Sequence, residues 1–293
     1  MLIARLIADP EGLLTRIEQV KRALDADSAP IAASAKQVPE GVLVEIHTSG
    51  AKKSRFRSVV EEAFPVYDGL IADDDIAVPA LFVSDMDSTM IGQECIDELA
   101  DYAGLKNKIA DITERAMQGE LDFESALRER VRLLKGLDEG AIQRCLDERI
   151  EPTPGAKTLV QTLKAKGCRS VLVTGGFHHF ADPVAENIGF DRVVGNRLQV
   201  ADGALTGELD GPVVDSSVKK SVLNTEMLQF KLGSRSLAAG DGANDIPMLE
   251  AADYGAAYRA KPKARAAANC WVDRGNLTSL LVLLGIPRTD WIA

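Results

Sequence analysis

Two aspartates separated by a single residue, Asp85 and Asp87, have the types and spacing that most directly suggest chemistry in this sequence. They follow the apolar run 78–83, which is typical of a buried strand, and precede the hydroxyls of Ser88 and Thr89. Carboxylates at the end of a buried strand suit a hard cation, because Mg2+ prefers oxygen ligands. The alternative is a strand end capped by a solvated aspartate turn, and the pair alone does not decide between the two interpretations.

Two later apolar segments end in groups that complement these carboxylates. One segment ends at Thr174 and is followed by Gly175 and Gly176, and the other ends immediately before Asp241. The hydroxyl and the glycine N–H groups can bind a phosphate oxygen at the start of the next helix, and Asp241 can add a carboxylate to the cation. Carboxyl ends of parallel strands share one edge of a sheet, so the three strand ends are expected to converge. Together with the positive charge of Lys219, they predict a pocket for a phosphoryl group, a cation and a nucleophile.

The elements that must position these groups alternate between strands and helices from residue 76 onwards. This alternation predicts a parallel sheet with right-handed crossovers and helices on both faces. Four consecutive amphipathic helices at about 91–152 interrupt it and predict an inserted cap. Asp122 and Asp138 are the predicted N-caps of its last two helices, and Gly119 is among the predicted terminating glycines. Glycine-containing turns within 193–213 predict one or two hairpins.

Residues 1–75 have a different pattern and are expected to form a separate α+β domain. The predicted elements are strands at 2–8, 31–36, 41–47 and 66–71, and helices at 13–24 and 55–64. This order is that of a ferredoxin-like split βαβ sandwich, and it resembles an ACT-like domain, a fold often used to sense small molecules or to dimerise. The acidic stretch 72–75 is the expected linker. The predicted fold class is therefore α/β, with a Rossmann-like parallel sheet at 76–293, an inserted four-helix cap and this N-terminal domain.

Length and composition narrow the function classes. At 293 residues the chain is long for one domain, and its 46% hydrophobic and 27% charged residues are ordinary for a globular protein. The net charge of −10 argues against binding nucleic acid or an anionic membrane, and no segment approaches the roughly 18 apolar residues of a membrane span. The four cysteines are scattered and form no C-x-x-C pair, which indicates reduced thiols. The expected location is the cytoplasm.

Four ordered motifs resemble those of the haloacid dehalogenase superfamily of phosphatases. They are Asp85 to Thr89, Thr174 to Phe177, Lys219, and Gly240 to Asp245. Within the superfamily, the stretch from about Ala80 to Leu284 is similar to the phosphoserine phosphatase family. That resemblance implies hydrolysis of O-phospho-L-serine to L-serine and phosphate, the last step of serine biosynthesis, through an aspartyl-phosphate intermediate.

The resemblance also implies a role for each matching position. Asp85 would be the nucleophile, and Asp87 would protonate the seryl oxygen and then activate water. Mg2+ would be bound by Asp85, the Asp87 backbone carbonyl and Asp241, with Asp245 in a supporting position. The implied phosphate-binding residues are Thr174, Gly175, Gly176, Lys219 and Asn244. The implied substrate-reading residues of the cap are Glu94 for the ammonium, Arg130 for the α-carboxylate and Phe123 for closure.

The sequence leaves several alternatives open. Glu94 and Arg130 lie on charge-rich helices, where such residues are more often solvated. Lys220 competes with Lys219 as the phosphate-binding lysine, and Asp245 can be a helix N-terminal carboxylate. The chain could instead be a phosphatase or phosphotransferase for phosphohomoserine or phosphothreonine, or a non-catalytic amino-acid sensor. The ACT-like resemblance adds the expectation of a homodimer, with serine or another amino acid as an effector.

Overall fold

The N-terminal part of the chain folds as a four-stranded antiparallel sheet with two helices. The structure, a computed structural model, describes residues 1–117 and 120–292. Its first elements are β1 (Leu2–Ala8), α1 (Leu13–Asp25), β2 (Ile31–Val38), β3 (Gly41–Thr48), α2 (Lys53–Ala63) and β4 (Asp68–Ala72). The strand order is β2-β3-β1-β4, and neighbouring strands are antiparallel. This arrangement confirms the predicted ferredoxin-like fold, whereas the ACT-like identity stays a prediction.

The burial pattern of β3 explains why this sequence forms a sheet with one covered face. Val42, Val44 and Ile46 alternate with half-buried residues along the strand, as the period of two requires. They belong to the same buried cluster as Val20 of α1 and Phe56 of α2. The two helices therefore cover the face of the sheet from which these side chains project.

Four helices follow β5 (Leu81–Ser84) and form the predicted cap. They are α3 (Cys95–Tyr102), α4 (Lys106–Met117), α5 (Phe123–Leu133) and α6 (Gly140–Arg149). The N-cap prediction is confirmed for Asp122, whose Oδ1 accepts a hydrogen bond from the Ser125 N–H at 2.8 Å. It is wrong for Asp138, because α6 begins at Gly140 and Asp138 instead pairs with Ala204 in an antiparallel bridge. The predicted helix-terminating Gly119 lies outside the described residues.

The segments that connect the cap to the core lie side by side. Ile91 pairs with Pro152 in an isolated antiparallel bridge, and the Gly92 N–H donates to the Glu151 carbonyl at 3.3 Å. Both ends of the cap therefore meet at one place on the core. The division of the chain into independent domains at 75 and 76 stays a prediction.

The rest of the chain alternates strands with helices. These elements are α7 (Ala156–Ala165), β6 (Arg169–Phe177), α8 (His178–Ile188), β7 (Arg192–Asn196), β8 (Leu198–Ala201), β9 (Ala204–Leu209), α9 (Ser216–Met227), β10 (Ser236–Gly240), α10 (Ile246–Ala251), β11 (Tyr254–Tyr258), α11 (Pro262–Ala267), β12 (Cys270–Val272) and α12 (Ser279–Leu283). The strands β12-β11-β10-β5-β6-β7 are parallel neighbours in this order, which confirms the predicted parallel sheet. The strands β8 and β9 form a hairpin. Within the described residues, no helix has the length and apolar character needed to cross a membrane.

The two sheets are joined edge to edge, which no pattern in the sequence predicts. β4 pairs antiparallel with β12, with Leu70 opposite Cys270 and Gly69 opposite Trp271. A Cβ atom at Gly69 would lie 2.7 Å from the Trp271 ring, so only glycine permits this contact. The N-terminal module, residues 1–75, therefore continues the core sheet into a single ten-stranded sheet.

Candidate active site

The first aspartate lies at the carboxyl end of β5, in the middle of the parallel sheet. Asp85 is 4% exposed, and its N–H donates to the carbonyl of Ala239 in β10 at 2.9 Å. Because β5 lies between β6 and β10, the strand ends that carry Thr174 and Asp241 are on either side of Asp85. The structure therefore brings together the three strand ends that the sequence places apart.

Three carboxylates form a compact buried group at this edge. Asp85, Asp241 and Asp245 each place one oxygen within 4.8 Å of the others. The second Asp245 oxygen, Oδ2, accepts the N–H groups of Asp241 at 3.1 Å and Gly242 at 3.0 Å. Asp245 thus also holds the loop that carries Asp241, and the half-buried Asn244 lies between them in a short 3-10 turn. An all-oxygen donor set of this size fits a hard divalent cation.

A buried lysine connects two of these carboxylates. Lys219 is 1% exposed, and its Nζ lies 2.7 Å from Asp85 Oδ1 and 2.7 Å from Asp245 Oδ1. Burial lowers the pKa of Lys219, but the two carboxylates outweigh this effect and raise it. The neighbouring Lys220 is exposed, so Lys219 supplies the positive charge at the site.

The two aspartates of the first motif have different electrostatic environments. Burial and the Asp245 carboxylate raise the pKa of Asp85 well above its ordinary value, and the direct contact with Lys219 only partly offsets this rise. Burial and the nearby Glu94 carboxylate raise the pKa of Asp87 to about 7. One carboxyl group is therefore paired with a cation, and the other can carry a proton near neutral pH.

The glycines after Thr174 lie within strand β6, so the expectation that they open the following helix is wrong. α8 begins at His178, after both glycines have continued the strand. The Gly176 N–H donates to Thr174 Oγ1 at 2.9 Å, and a Cβ atom at Gly176 would lie 3.0 Å from Asp87 Oδ2. Glycine therefore allows this strand end to approach the aspartate pair closely.

Cap residues face the same strand ends. A Cβ atom at Gly175 would lie 3.2 Å from Cζ of Phe123, so the first residue of α5 lies against the glycine pair. Glu94 accepts a hydrogen bond from Ser88 Oγ at 2.8 Å, directly beside the aspartate motif. Arg130 is half-buried, and burial lowers its pKa although the nearby carboxylates of Asp97, Glu94 and Asp87 oppose this shift. Phe123 thus lies against the glycine pair, and Glu94 and Arg130 lie near the Asp87 carboxyl group.

Two residues at the site were not predicted from the sequence. Asn196 is 2% exposed and hydrogen-bonds to the carbonyl of Gly175 at 2.7 Å. Lys261 donates its N–H to the Asp241 carbonyl at 2.9 Å and places Nζ 3.7 Å from Asp241 Oδ2. The sequence signals were a Gly-Asn pair, which is typical of a turn, and a Lys-Pro pair, which is typical of a helix start. Neither signal indicates contact with a distant strand end.

Comparison with known proteins agrees with this geometry. A family model of haloacid dehalogenase-like hydrolases matches residues 82–250, more than half of the chain. The chain belongs to the haloacid dehalogenase-like hydrolase family. The resemblance predicted from the four motifs is therefore confirmed, and the chain is an enzyme of the hydrolase class.

Proteins named as phosphoserine phosphatases are among those to which the chain is similar. The chain is 45% identical over 207 residues to a phosphoserine phosphatase of Lactococcus lactis, a match that covers 70% of this chain and 95% of that protein. The crystal structure of a probable phosphoserine phosphatase from Vibrio cholerae, unliganded, is 31% identical with a TM-score of 0.75 and covers 99% of this chain and 88% of that one. A hydrolase of the same family from Salmonella enterica serovar Typhi is 25% identical with a TM-score of 0.84, covering 97% of this chain and 99% of that one. The similarity to these two structures includes the N-terminal module.

Proposed function

We propose that this protein hydrolyses O-phospho-L-serine to L-serine and phosphate. The observation that supports the proposal is the buried group of Asp85, Lys219, Asp241 and Asp245 at one sheet edge, with Glu94 and Arg130 close enough to interact electrostatically with the neighbouring Asp87. This combination provides both a phosphoryl-transfer site and charges of both signs for a zwitterionic substrate. The phosphoserine phosphatase from Lactococcus lactis, 45% identical to this chain, supports the same substrate.

The two aspartates divide the chemistry between them. Asp85 attacks phosphorus, the bond from phosphorus to the seryl oxygen breaks, and Asp87 gives its proton to that oxygen as serine leaves. Asp87 then takes a proton from water, and the resulting hydroxide attacks the aspartyl-phosphate at phosphorus to release phosphate and regenerate Asp85. The pKa of Asp87, raised to about 7, suits a group that must donate and accept a proton in turn.

A magnesium ion fits the site and completes the charge balance. Asp85 and Asp241, together with the backbone carbonyl of Asp87, would hold Mg2+, while Asp245 supports the loop that carries Asp241. When bound, the cation neutralises negative charge on the phosphoryl oxygens. Lys219, Thr174 and the Gly175 N–H would bind the remaining phosphoryl oxygens, the Gly176 N–H would orient the Thr174 hydroxyl, and Asn244 would help to orient the phosphoryl group.

The cap supplies specificity for an amino-acid ester. Glu94 suits the substrate ammonium, and the planar guanidinium of Arg130 suits the α-carboxylate, which it can bind through two parallel hydrogen bonds. Phe123, which lies against Gly175, would exclude water from the phosphoryl group. A dianionic ester thus meets local positive charge in a protein whose net charge is −10.

Phosphate release from a panel of phosphomonoesters tests the proposal. With Mg2+ present, we expect kcat/KM for phosphoserine to exceed that for phosphothreonine, phosphohomoserine and a simple alkyl phosphate by about tenfold or more. A higher kcat/KM for any other ester would assign the site to that substrate. Asp85→Asn, purified in parallel, controls for contaminating phosphatases.

We also propose that the N-terminal module has a regulatory or dimerising role, with serine or another amino acid as effector, and that the protein is located in the cytoplasm. Inhibition of phosphoserine hydrolysis by added L-serine that is not competitive with substrate would support an effector site.

A further inference from the structure

The strand end that carries Thr174 departs from regular pairing with its neighbour. In β6 and β7, Val173 is opposite Val194 and Phe177 is opposite Asn196, so four steps along β6 correspond to two along β7. The residues between these pairs bulge away from the ladder. A bulge of this kind re-aims backbone groups and leaves some of them without a ladder partner.

The side chain of Asn196 compensates for this irregularity. Asn196 is the last residue of β7 and is 2% exposed. Its Nδ2 donates to the Gly175 carbonyl at 2.7 Å, and its Oδ1 accepts from the Val214 N–H at 2.8 Å. A carbonyl requires a donor and an N–H requires an acceptor, so these two partners fix the orientation of the amide.

The second partner leads directly to the buried lysine. Val214 is followed by Asp215, whose carboxylate caps α9 by accepting the Ser217 N–H at 2.9 Å and the Val218 N–H at 3.1 Å. Lys219 is the next residue along this helix and contacts Asp85. One buried amide thus links the glycine pair on one side of the site to the start of the helix that carries the lysine on the other side.

We propose that Asn196 is a positioning residue that sets the spacing between the two halves of the phosphate-binding site. It holds the peptide at Gly175 and the start of α9 at a fixed separation, so that the Gly175 N–H, the Thr174 hydroxyl and Lys219 can bind the same phosphoryl group. This inference rests on the proposed function, because it takes phosphate as the ligand of both halves. In this role Asn196 does not itself contact the substrate.

Asn196→Asp and Asn196→Ala test this role. The carboxylate variant would keep an acceptor for the Val214 N–H but place a second acceptor against the Gly175 carbonyl, and the alanine variant removes both bonds. Calorimetry with the Mg2+-loaded protein measures binding of inorganic phosphate and, separately, of L-serine. We expect phosphate affinity to fall by about tenfold or more in both variants, because small displacements of binding groups are costly, while L-serine affinity changes less than about twofold.

Ser170→Ala is the matched control. Ser170 lies at the other end of β6, is 0% exposed, and hydrogen-bonds through Oγ to Asp191 Oδ2 at 3.0 Å. Its loss removes a buried hydrogen bond of the same strand, so it is expected to lower stability but to leave phosphate affinity within about twofold. Phosphate affinity unchanged in folded Asn196→Asp, or phosphate and serine affinities reduced in parallel, would overturn the proposal. Failure of the unaltered protein to hydrolyse phosphoserine would instead refute the proposed function.

The unaltered protein provides a measurement that does not depend on a variant folding. If Asn196 couples the two segments, inorganic phosphate slows backbone hydrogen exchange in residues 213–219 as well as in residues 174–178. Protection confined to residues 174–178 would show that the segments respond separately and would overturn the coupling.

Discussion

At the scale of single residues, the two neighbouring carboxyl groups of the candidate site, Asp85 and Asp87, differ in the groups that they contact. Asp85 contacts the Lys219 ammonium at 2.7 Å, whereas Asp87 accepts a long hydrogen bond from the Cys95 N–H at 3.3 Å and lies near the Glu94 carboxylate. The ion pair with Lys219 fixes the orientation of the Asp85 carboxyl group, and the surroundings of Asp87 favour a carboxyl group that can carry a proton near neutral pH. Substitution of each aspartate should therefore block a different step.

Asp85→Asn and Asp87→Asn are expected to give different kinetics with p-nitrophenyl phosphate, whose leaving group departs without being protonated. Asp87→Asn should release about one p-nitrophenol per site rapidly and then stall, because the second step lacks its base. Asp85→Asn should show no burst and lose about 10⁴-fold or more in kcat. Rapid-mixing absorbance measures both. An equal loss of burst in the two variants would contradict the division of roles.

Lys261 adds a prediction for metal binding. Its Nζ lies 3.7 Å from Asp241 Oδ2, so its positive charge competes with a cation for that carboxylate. Lys261→Met is expected to tighten Mg2+ binding about three- to tenfold at low salt, and less at high salt because the ammonium is exposed. Calorimetric titration with Mg2+ measures the change, and Lys263→Met, which removes an exposed lysine two residues further on, is the control. Weaker Mg2+ binding by Lys261→Met would show that the lysine assists the metal.

At the scale of elements, hydrophobic periodicity accounts for most of what the sequence predicts. The βαββαβ order, the cap helices and the parallel strands follow from the local spacing of apolar residues in the sequence. Val44 and Phe56, which lie in one buried cluster, illustrate this spacing. Periodicity does not reveal that β6 continues through Gly175 and Gly176, because their conformation is fixed by contact with Asp87 and Asn196. It also misses α10, a short helix whose first turn contains Pro247.

The helix that carries Lys219 is held by a buried glutamate. Glu226 of α9 has a side chain that is 1% exposed and contacts Arg169 of β6 at 2.7 Å and Arg192 of β7. Burial raises the pKa of Glu226, but the two arginines outweigh it and hold that pKa below its ordinary value of 4.5. The ionised Glu226 therefore stabilises the fold at pH values above the pKa that this residue has in the unfolded chain. The stabilisation is lost as the pH falls through its lower pKa in the folded protein.

Glu226→Gln is therefore expected to lower the free energy of unfolding at pH 7 by about 1–2 kcal/mol, since both arginines are partly exposed and screened by solvent. The difference from the unaltered protein should shrink as the pH falls below about 4.5. Urea unfolding at a series of pH values measures it, with the exposed Glu62→Gln of α2 as control. A difference that stays constant from neutral to strongly acidic pH would show that the charge of Glu226 is not the source of the stabilisation.

At the scale of the whole molecule, the N-terminal module is part of the core sheet. Residues about two hundred positions apart pair in β4 and β12, and no local pattern in the sequence predicts such a contact. Trp271 of β12 is buried between Tyr67 and the guanidinium groups of Arg57 and Arg265. Deletion of the N-terminal module would expose this tryptophan, so a deletion is a poor test of regulation by serine.

A cleft of about 1280 Å³ lies between the N-terminal module and the core, apart from the aspartates. Its lining includes four cations, and each has a carboxylate partner of its own: Lys53 with Asp73, Arg57 with Glu61, Arg235 with Asp74, and Arg265 with Asp273. These charges are already neutralised within the protein. The cleft is therefore a joint between the two parts rather than a second phosphate site.

Asp68 of β4 is the residue on which this joint depends most directly. Its carboxylate is 2% exposed and accepts four hydrogen bonds from the segment after β12, from the N–H groups of Asp273, Arg274 and Gly275 and from Ser279 Oγ. An amide in its place turns one acceptor into a donor that faces other donors. Asp68→Asn is therefore expected to lower the free energy of unfolding by at least about 2 kcal/mol.

Asp9→Asn provides the comparison for Asp68→Asn, because Asp9 also joins the N-terminal module to this segment, through an exposed ion pair with Arg274 at 2.8 Å. Thermal unfolding should show a clear fall in Tm for Asp68→Asn and almost none for Asp9→Asn, since exposed pairs contribute little. The fall should affect the whole protein in one transition, because a continuous sheet cannot lose its N-terminal strands without exposing Trp271. Two separate transitions in Asp68→Asn, with phosphatase activity surviving the first, would show instead that the module unfolds independently of the core.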